Sequence, residues 1–377
     1  MGAAFFLNGL LFATWVARIP EARSSLGLDN GQLGLLLLAI AVGSMMAMPA
    51  SGALIERFDA AGVIRVAGAA TLIGLSLVAV AILAGVTWLA AVALFVYGAG
   101  TGVWDVAMNV EGAAVERRLD RSIMPRFHAA WSLGSVAGAG LGAAAVAVGL
   151  PILVHVLPVA LAGLVGVLLC ARFFLVGEKE ENQGPNPSAW SAWREPRTLL
   201  IGLMMLALAL TEGVANDWLA LALVDGHDAE RWVGVSGFGV FVAAMTAGRF
   251  GGPVLLDRFG RLPMLWGTMV MAGGGVLLIV FTSHPALIVA GIVLWGLGAS
   301  LGFPVGISAA ADVPSLAAAR VSVVSTLGYA AFFAGPPLIG FVAERVGTLN
   351  ALLVVVAVLV PSALAVPSAS EPRRLVA

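Results

Sequence analysis

Charge is what this chain has least of. Asp, Glu, Lys and Arg together make up 11% of its 377 residues, against roughly a quarter in soluble globular proteins. A water-facing surface of ordinary polarity cannot be assembled from so few. The single cysteine, Cys170, excludes an intramolecular disulfide and offers no metal cluster. Histidines at 128, 155, 227 and 284 fall in separate regions, so no converging set of nucleophile, base and metal ligands is visible. No nucleotide-binding P-loop is present, which argues against an ATP-driven pump. A charged leader with a small-residue cleavage site is also missing, and the first apolar segment is entered by Gly2. That abrupt entry leads us to expect a short cytoplasmic lead ahead of this start. No metal, cofactor or nucleic acid is called for.

What the chain has is apolar length. Hydrophobic residues make up 60% of it, and the mean hydropathy is +1.01. Runs of about twenty apolar residues, each enough to cross a bilayer core of ~30 Å, recur along nearly the whole sequence. The ~10-residue alternating segments of a membrane barrel are absent. The predicted fold is an all-α polytopic membrane protein with twelve spans: 2–20, 31–55, 62–84, 88–115, 126–149, 151–174, 198–223, 232–255, 262–282, 286–311, 321–343 and 348–366. The connection 177–197 carries EKEENQGPNP and SAWSAWREPR and reads as a cytoplasmic linker. It divides the chain into six-helix bundles, 1–176 and 198–377. Trp190 and Trp193 beside Arg194 and Arg197 suit a helix lying at the membrane interface.

Basic residues orient the spans. With the N-terminus inside, fifteen of the twenty Lys and Arg residues fall on the cytoplasmic side. Only Arg18, Arg23, Arg231 and Arg345 lie opposite, and Arg249 sits within a span. Both termini are therefore expected in the cytoplasm. The halves also repeat. GALIERFDAAGVIR after span two answers PVLLDRFGRLPML after span eight, and YGAGTG at Tyr97–Gly102 answers WGLGAS at Trp295–Ser300. Leu133-Gly134 and Leu327-Gly328 form a third pair. Duplicated bundles of this kind are the sequence mark of secondary transporters, with the substrate site near the midplane between them.

The loop sequences carry a resemblance. DRFGR supplies Asp257, Arg258, Gly260 and Arg261 of the Gly-x-x-x-Asp-Arg-x-Gly-Arg motif, with Pro253 in place of its leading glycine. The first copy keeps Gly52 and Arg57, with Glu56 for aspartate and with Asp59 and Ala60 for the final Gly-Arg. In this the chain resembles the major facilitator superfamily. WDVAMN at Trp104–Asn109, FHAAWSLG at Phe127–Gly134 and EGVANDW at Glu212–Trp218 resemble its fucose-permease-like branch. That resemblance implies proton coupling through Asp105, with Asn109 its companion four residues on. The branch's second functional acid, in the first helix, is here Val16. The resemblance further implies that Gly52, Glu56, Arg57, Asp257, Arg258, Gly260 and Arg261 form a gate whose ion pairs steady an outward-open state. Trp15, Trp104, Trp131, Trp218, Phe303 and Tyr329 fall on helices that line the cavity in that superfamily.

Several polar groups sit within the spans on their own account. Gly98, Gly102, Asp105, Asn109 and Gly112 make one continuous stripe on a helix. Its glycines let another helix or a solute approach. A carboxylate at that depth costs on the order of 3 kcal/mol and ordinarily faces a cavity or a partner. Asp105 is thus a candidate protonatable group, the alternative being a fixed hydrogen bond between helices. Glu111, off the stripe and near the interface, reads as incidental. His128 and Trp131 recur on span five at the depths of Asn109 and Asp105. Glu212 lies near the centre of span seven with Asn216 one turn on, and Asp217 and Trp218 beyond. Arg249 is the obvious partner for Glu212, as a structural pair or as a solute ligand. Asn8 on span one completes the candidate cavity.

These residues describe a secondary transporter working by alternating access on a small organic solute. It is expected as a monomer in a bacterial-type plasma membrane, with lipid, solute and protons as its partners. Import of a sugar-like solute is one direction. Efflux of a drug or metabolite by proton antiport is the other, suggested by the many Trp and Met residues and by Gly335-Pro336-Pro337. A membrane sensor that has lost transport is the further alternative.

Overall fold

The computed structural model describes residues 1–119, 124–175, 192–313 and 316–370. These contain eleven helices long and apolar enough to cross a membrane and a twelfth, shorter one. In chain order they are α1 (Gly2–Ser25), α2 (Asn30–Ile55), α3 (Arg57–Ala84), α4 (Thr87–Gly112), α5 (Arg126–Ala147) and α6 (Ile152–Phe173). Then follow α7 (Pro196–His227), α8 (Arg231–Phe259), α9 (Arg261–Phe281), α10 (Pro285–Ala310), α11 (Ala319–Val346) and α12 (Thr348–Ala363). Most of the expected linker, Trp190 included, lies outside the described residues.

The helix ends follow local chemistry. Asp29 and Gln32 form a reciprocal capping box at the start of α2. Gly85, at φ 68°, ends α3 in the left-handed conformation that glycine adopts without cost. Two helices are interrupted. α1 breaks at Ala17 and Arg18, ahead of Pro20. α10 breaks at Ser300 and Leu301 before resuming at Gly302.

The repeat seen in the sequence is a repeat of contacts. Gly98 of α4 lies against the Ile40 carbonyl of α2, and Gly296 of α10 against the Phe241 carbonyl of α8. Gly100 lies against Thr71 of α3, and Gly298 against Thr268 and Ala272 of α9. Any side chain at these positions would enter its neighbour's backbone. Glycine here sets the helix separation, which in a bilayer must come from close packing because the hydrophobic effect does not drive helices together. The loops repeat as well. Gly260, at φ 77° and ψ 170°, turns the chain from α8 into α9, and Asp59, in the first turn of α3, makes the same turn at φ 60° and ψ 166°. The Asp59 carboxylate accepts from Gly62 N at 2.5 Å and thereby caps α3.

The halves meet along two seams. Gly34 of α2 faces Pro336 and Pro337 of α11, and Gly239 of α8 lies near Ala139 of α5.

Candidate functional site

One end of the molecule is tied across the halves. Arg23, at the end of α1, forms a two-pronged ion pair with Asp225 at the end of α7, with both contacts at 2.5 Å. Asn30 N donates to Glu344 of α11 at 3.0 Å, and Asn30 Nδ2 donates to Thr348 of α12 at 3.4 Å. Thr348 in turn donates to Asp225 at 2.7 Å. Among the described residues no ion pair joins the halves at the opposite end, where the loop motifs lie. There Phe58, Phe250, Val254 and Phe259 are exposed. The described ion pair between the halves thus lies at the Arg23–Asp225 end.

A second set of polar contacts lies within the spans. The Arg249 guanidinium on α8 reaches both carboxylate oxygens of Glu212 on α7 at 3.2 Å. Its other terminal nitrogen donates to Ser132 Oγ on α5, in the opposite half, at 3.3 Å. The pair is partly accessible, at 22% for Arg249 and 14% for Glu212. His128 of α5 lies within electrostatic reach of Arg249 and packs edge-on against Phe5.

Asp105 on α4 has a different setting. Its side-chain partner is the Asn109 amide, which donates to its carbonyl at 2.9 Å and to Oδ1 at 3.3 Å. No basic side chain pairs with it among the described residues. Tyr329 lies on α11 in the other half. Tyr329 is 39% exposed, and its ring centroid lies 6.2 Å from that of Phe303 on α10. Trp131 donates to Asn8 at 2.9 Å, tying α5 to α1 within one half.

Other expected site residues are placed elsewhere. Trp15, Trp104 and Trp218 are almost fully buried among the packed helices. Asn216 is nearly buried, and Asp217 has no hydrogen-bond or ion-pair partner among the described residues. Among the described residues the loop-motif side chains make no ion pair across the halves. Arg261 instead holds Asp312 at 3.0 and 3.1 Å and the Ala369 carbonyl at 3.0 Å, all within the second half. Arg197 joins the same carboxylate at 2.7 Å. Arg57 and Arg258 each lie over the ring of the following residue, Phe58 and Phe259. Asp257 is exposed, Gly52 faces open space, and the Glu56 side chain lies outside the described residues. Gly260 serves as the turn described above.

Some contributors carried no signal in the sequence. Ser132 is one serine among many, and Asp225 and Glu344 look like ordinary loop acids. Glu111 also departs from expectation. It is buried, and it accepts from Leu175 N at 2.5 Å beyond the end of α6. Arg18 is buried too, bonded to Glu21, to His155 Nδ1 at 3.1 Å and to the Leu150 carbonyl at 3.0 Å.

The model of the family described as "Major Facilitator Superfamily" matches residues 1–336. The chain belongs to that superfamily. An uncharacterised MFS-type transporter of Yersinia pestis is 33% identical over 345 residues, spanning 90% of this chain and 87% of the relative. The membrane protein MosC of Rhizobium meliloti is 30% identical over 358 residues, spanning 94% and 85%. Among solved structures, a variant of the nucleoside transporter NupG superposes with a TM-score of 0.81 at 14% identity, covering 98% of each chain. The Escherichia coli fucose:proton symporter FucP superposes at 0.65 with 16% identity, again covering 98% of each. The all-α fold is thus that of this superfamily, and as a member the chain is a multi-pass membrane protein and a secondary transporter.

Proposed function

We propose that this chain carries a small organic solute across a bacterial inner membrane, coupling its passage to protons at Asp105. The observation that carries the reading is the setting of Asp105. It is an acid within a membrane span, only partly exposed and without a counter-cation among the described residues. A carboxylate so placed is tolerable when it is protonated or when a ligand supplies the missing charge. Either event changes the electrostatics of a cavity whose two walls belong to different halves, and so biases which way the cavity opens.

Bundles 1–176 and 198–377 are the moving bodies, working as a monomer with both termini in the cytoplasm. The loop-motif end is then the cytoplasmic one. Glu212, Arg249 and Ser132 form the hub at which the halves pivot, with His128 beside it. Asn8, Trp131, Asn109, Phe303 and Tyr329 complete the lining. The missing first-helix acid, Val16, favours exchange of an outgoing solute for protons as the second reading, since fewer acids then serve proton and solute together.

Purified protein in liposomes tests the coupling, with a solute drawn from a thermal-shift screen of sugars, organic acids and antibiotics. Asp105→Asn is expected to lose uphill movement under an imposed pH gradient while retaining solute counterflow. Uphill movement by Asp105→Asn would overturn the assignment.

A further inference from the structure

We propose that Arg18 and His155 form a proton-sensitive clamp that aims Arg23 at Asp225, so that acid at this end of the molecule loosens the tie between the halves. Both act as positioning residues, and the inference does not rest on Asp105.

The clamp starts from a buried charge. Arg18 is 2% exposed, and a guanidinium so placed is tolerated only when acceptors answer its donors. Three do. Nε donates to His155 Nδ1 of α6 at 3.1 Å, and one terminal nitrogen donates to the Leu150 carbonyl in the α5–α6 turn at 3.0 Å. The other pairs with Glu21. Arg18 is also where α1 breaks, at the N-terminus of its final segment Ile19–Ser25. Fixing Arg18 therefore fixes the start of the short segment that carries Arg23. From there Arg23 reaches Asp225 of α7, and the Asn30 side-chain oxygen at 2.9 Å.

His155 is the member of the clamp that can change. It is buried, and accepting through Nδ1 requires the neutral ring with its proton on Nε2. Nε2 has no partner among the described residues, so the ring's polar anchor is the bond to Arg18. A second proton turns Nδ1 into a donor facing the Arg18 Nε–H and sets two cations side by side. The guanidinium does not give up its own proton. The clamped form has no place for the added proton and the released form accepts it, so acid favours release.

The charged groups set against His155 are Arg18 and, through it, Glu21. Residues 68–84 of α3 and 131–147 of α5, toward the same end, contain nothing titratable, and α5 brings Gly142 beside the ring. A cavity of about 470 Å³ borders the clamp and gives the proton a route. Arg18, Glu21 and Leu150 line one side of it, and Glu230, Arg231 and Trp232 of α8 line the other. Its walls belong to different halves, so it widens as the tie is lost.

The test uses the purified full chain carrying Cys170→Ala and spin labels at Ser24 and Asp228. A short distance is expected at about pH 8, and a reversible long-distance population at about pH 5, across the histidine range. The ratio of long to short should rise at least about tenfold, the scale of one hydrogen bond to a charged group. His155→Leu removes the acceptor and should give the long distance already at the alkaline pH. His155→Gln keeps an acceptor that does not titrate, so the short distance should hold at both pH values. An unchanged distance in a folded His155→Leu would overturn the clamp. Acid lengthening of equal size in His155→Gln would assign the response to the carboxylates of the tie itself and overturn the role of His155. Absence of acid lengthening in the chain with His155 intact would overturn it too. If His155→Leu fails to fold, the comparison of His155 with His155→Gln at the two pH values still decides.

Discussion

At the scale of single residues, the pairing of Arg249 with Glu212 has a direct consequence. A guanidinium in a membrane span is tolerated because a carboxylate answers it and a hydroxyl takes a further donor. Glu212→Gln leaves the charge unanswered, and breaking such a pair costs about 3 kcal/mol or more. The double variant Glu212→Gln with Arg249→Gln removes both charges. Thermal unfolding should show the single variant clearly less stable and the double variant closer to the natural chain. If both are equally destabilised, the pair is not what holds the hub.

Asp59 offers a second residue-scale case. It occupies a backbone region that is essentially glycine's own and that costs other residues about 1–3 kcal/mol, where its counterpart in the second half is Gly260. Its carboxylate offsets part of this by capping α3 through Gly62 N, a bond of about 1 kcal/mol. Asp59→Ala keeps the strain and loses the cap, whereas Asp59→Gly relieves one and loses the other. Urea or thermal denaturation should therefore rank glycine above alanine at this position. The reverse ranking would mean that the turn is not strained.

Among elements, the crossing of α2 and α11 controls the tied end. A Cβ on Gly34 would lie 2.5 Å from the Pro336 carbonyl oxygen, and one on Gly340 would enter the Asn30 carbonyl. Leucine at Gly34 or valine at Gly340 should hold α2 and α11 apart and keep that end open. Spin labels at Ser24 and Asp228, on either side of it, should then report a longer distance than in the natural chain. An unchanged distance would show that the contact does not decide closure.

Another element-scale device ties α9, the α10–α11 connection and the segment after α12 together through Asp312. Burial raises the Asp312 carboxyl, but hydrogen bonds from Arg261 and Arg197 outweigh it and hold the carboxyl below its ordinary value. A depressed carboxylate stabilises the fold above its unfolded value, about 3.9, and loses that contribution as pH falls through the lower folded value. Asp312→Asn should therefore lower thermal stability near neutral pH, with the difference from the natural chain narrowing below about pH 4. A difference constant from neutral to strongly acid pH would exclude this role.

For the whole molecule, the architecture was legible because a bilayer constrains sequence so strongly. Twenty-residue apolar runs and scarce charge leave few alternatives, and the YGAGTG and WGLGAS pairing marked glycines that make equivalent helix contacts in the two halves. The Glu212–Arg249 pair could be anticipated too, since two opposite charges in adjacent spans seek each other. The wall of the cavity was harder to read. In a membrane chain the lipid face and the packed face are both apolar, so periodicity does not tell which aromatic looks into the open space. Trp15, Trp104 and Trp218 pack in the core, while Tyr329 is exposed. The partners of the motif arginines were not legible for another reason. A motif records a residue's potential partners, and which of them it holds depends on which end of the transporter is closed. Arg261 holds Asp312 within its own half, while the cross-half ties rest on Arg23, Asp225, Asn30, Glu344 and Thr348 at the other end.

The central claim is that Asp105 couples protons to solute movement between the two halves. Its most direct measurement is solute flux into or out of liposomes under an imposed pH gradient, comparing the natural chain with Asp105→Asn. The expected result is movement against the solute gradient in the natural chain, and counterflow without uphill movement in the variant. Uphill flux of equal size in both would contradict it.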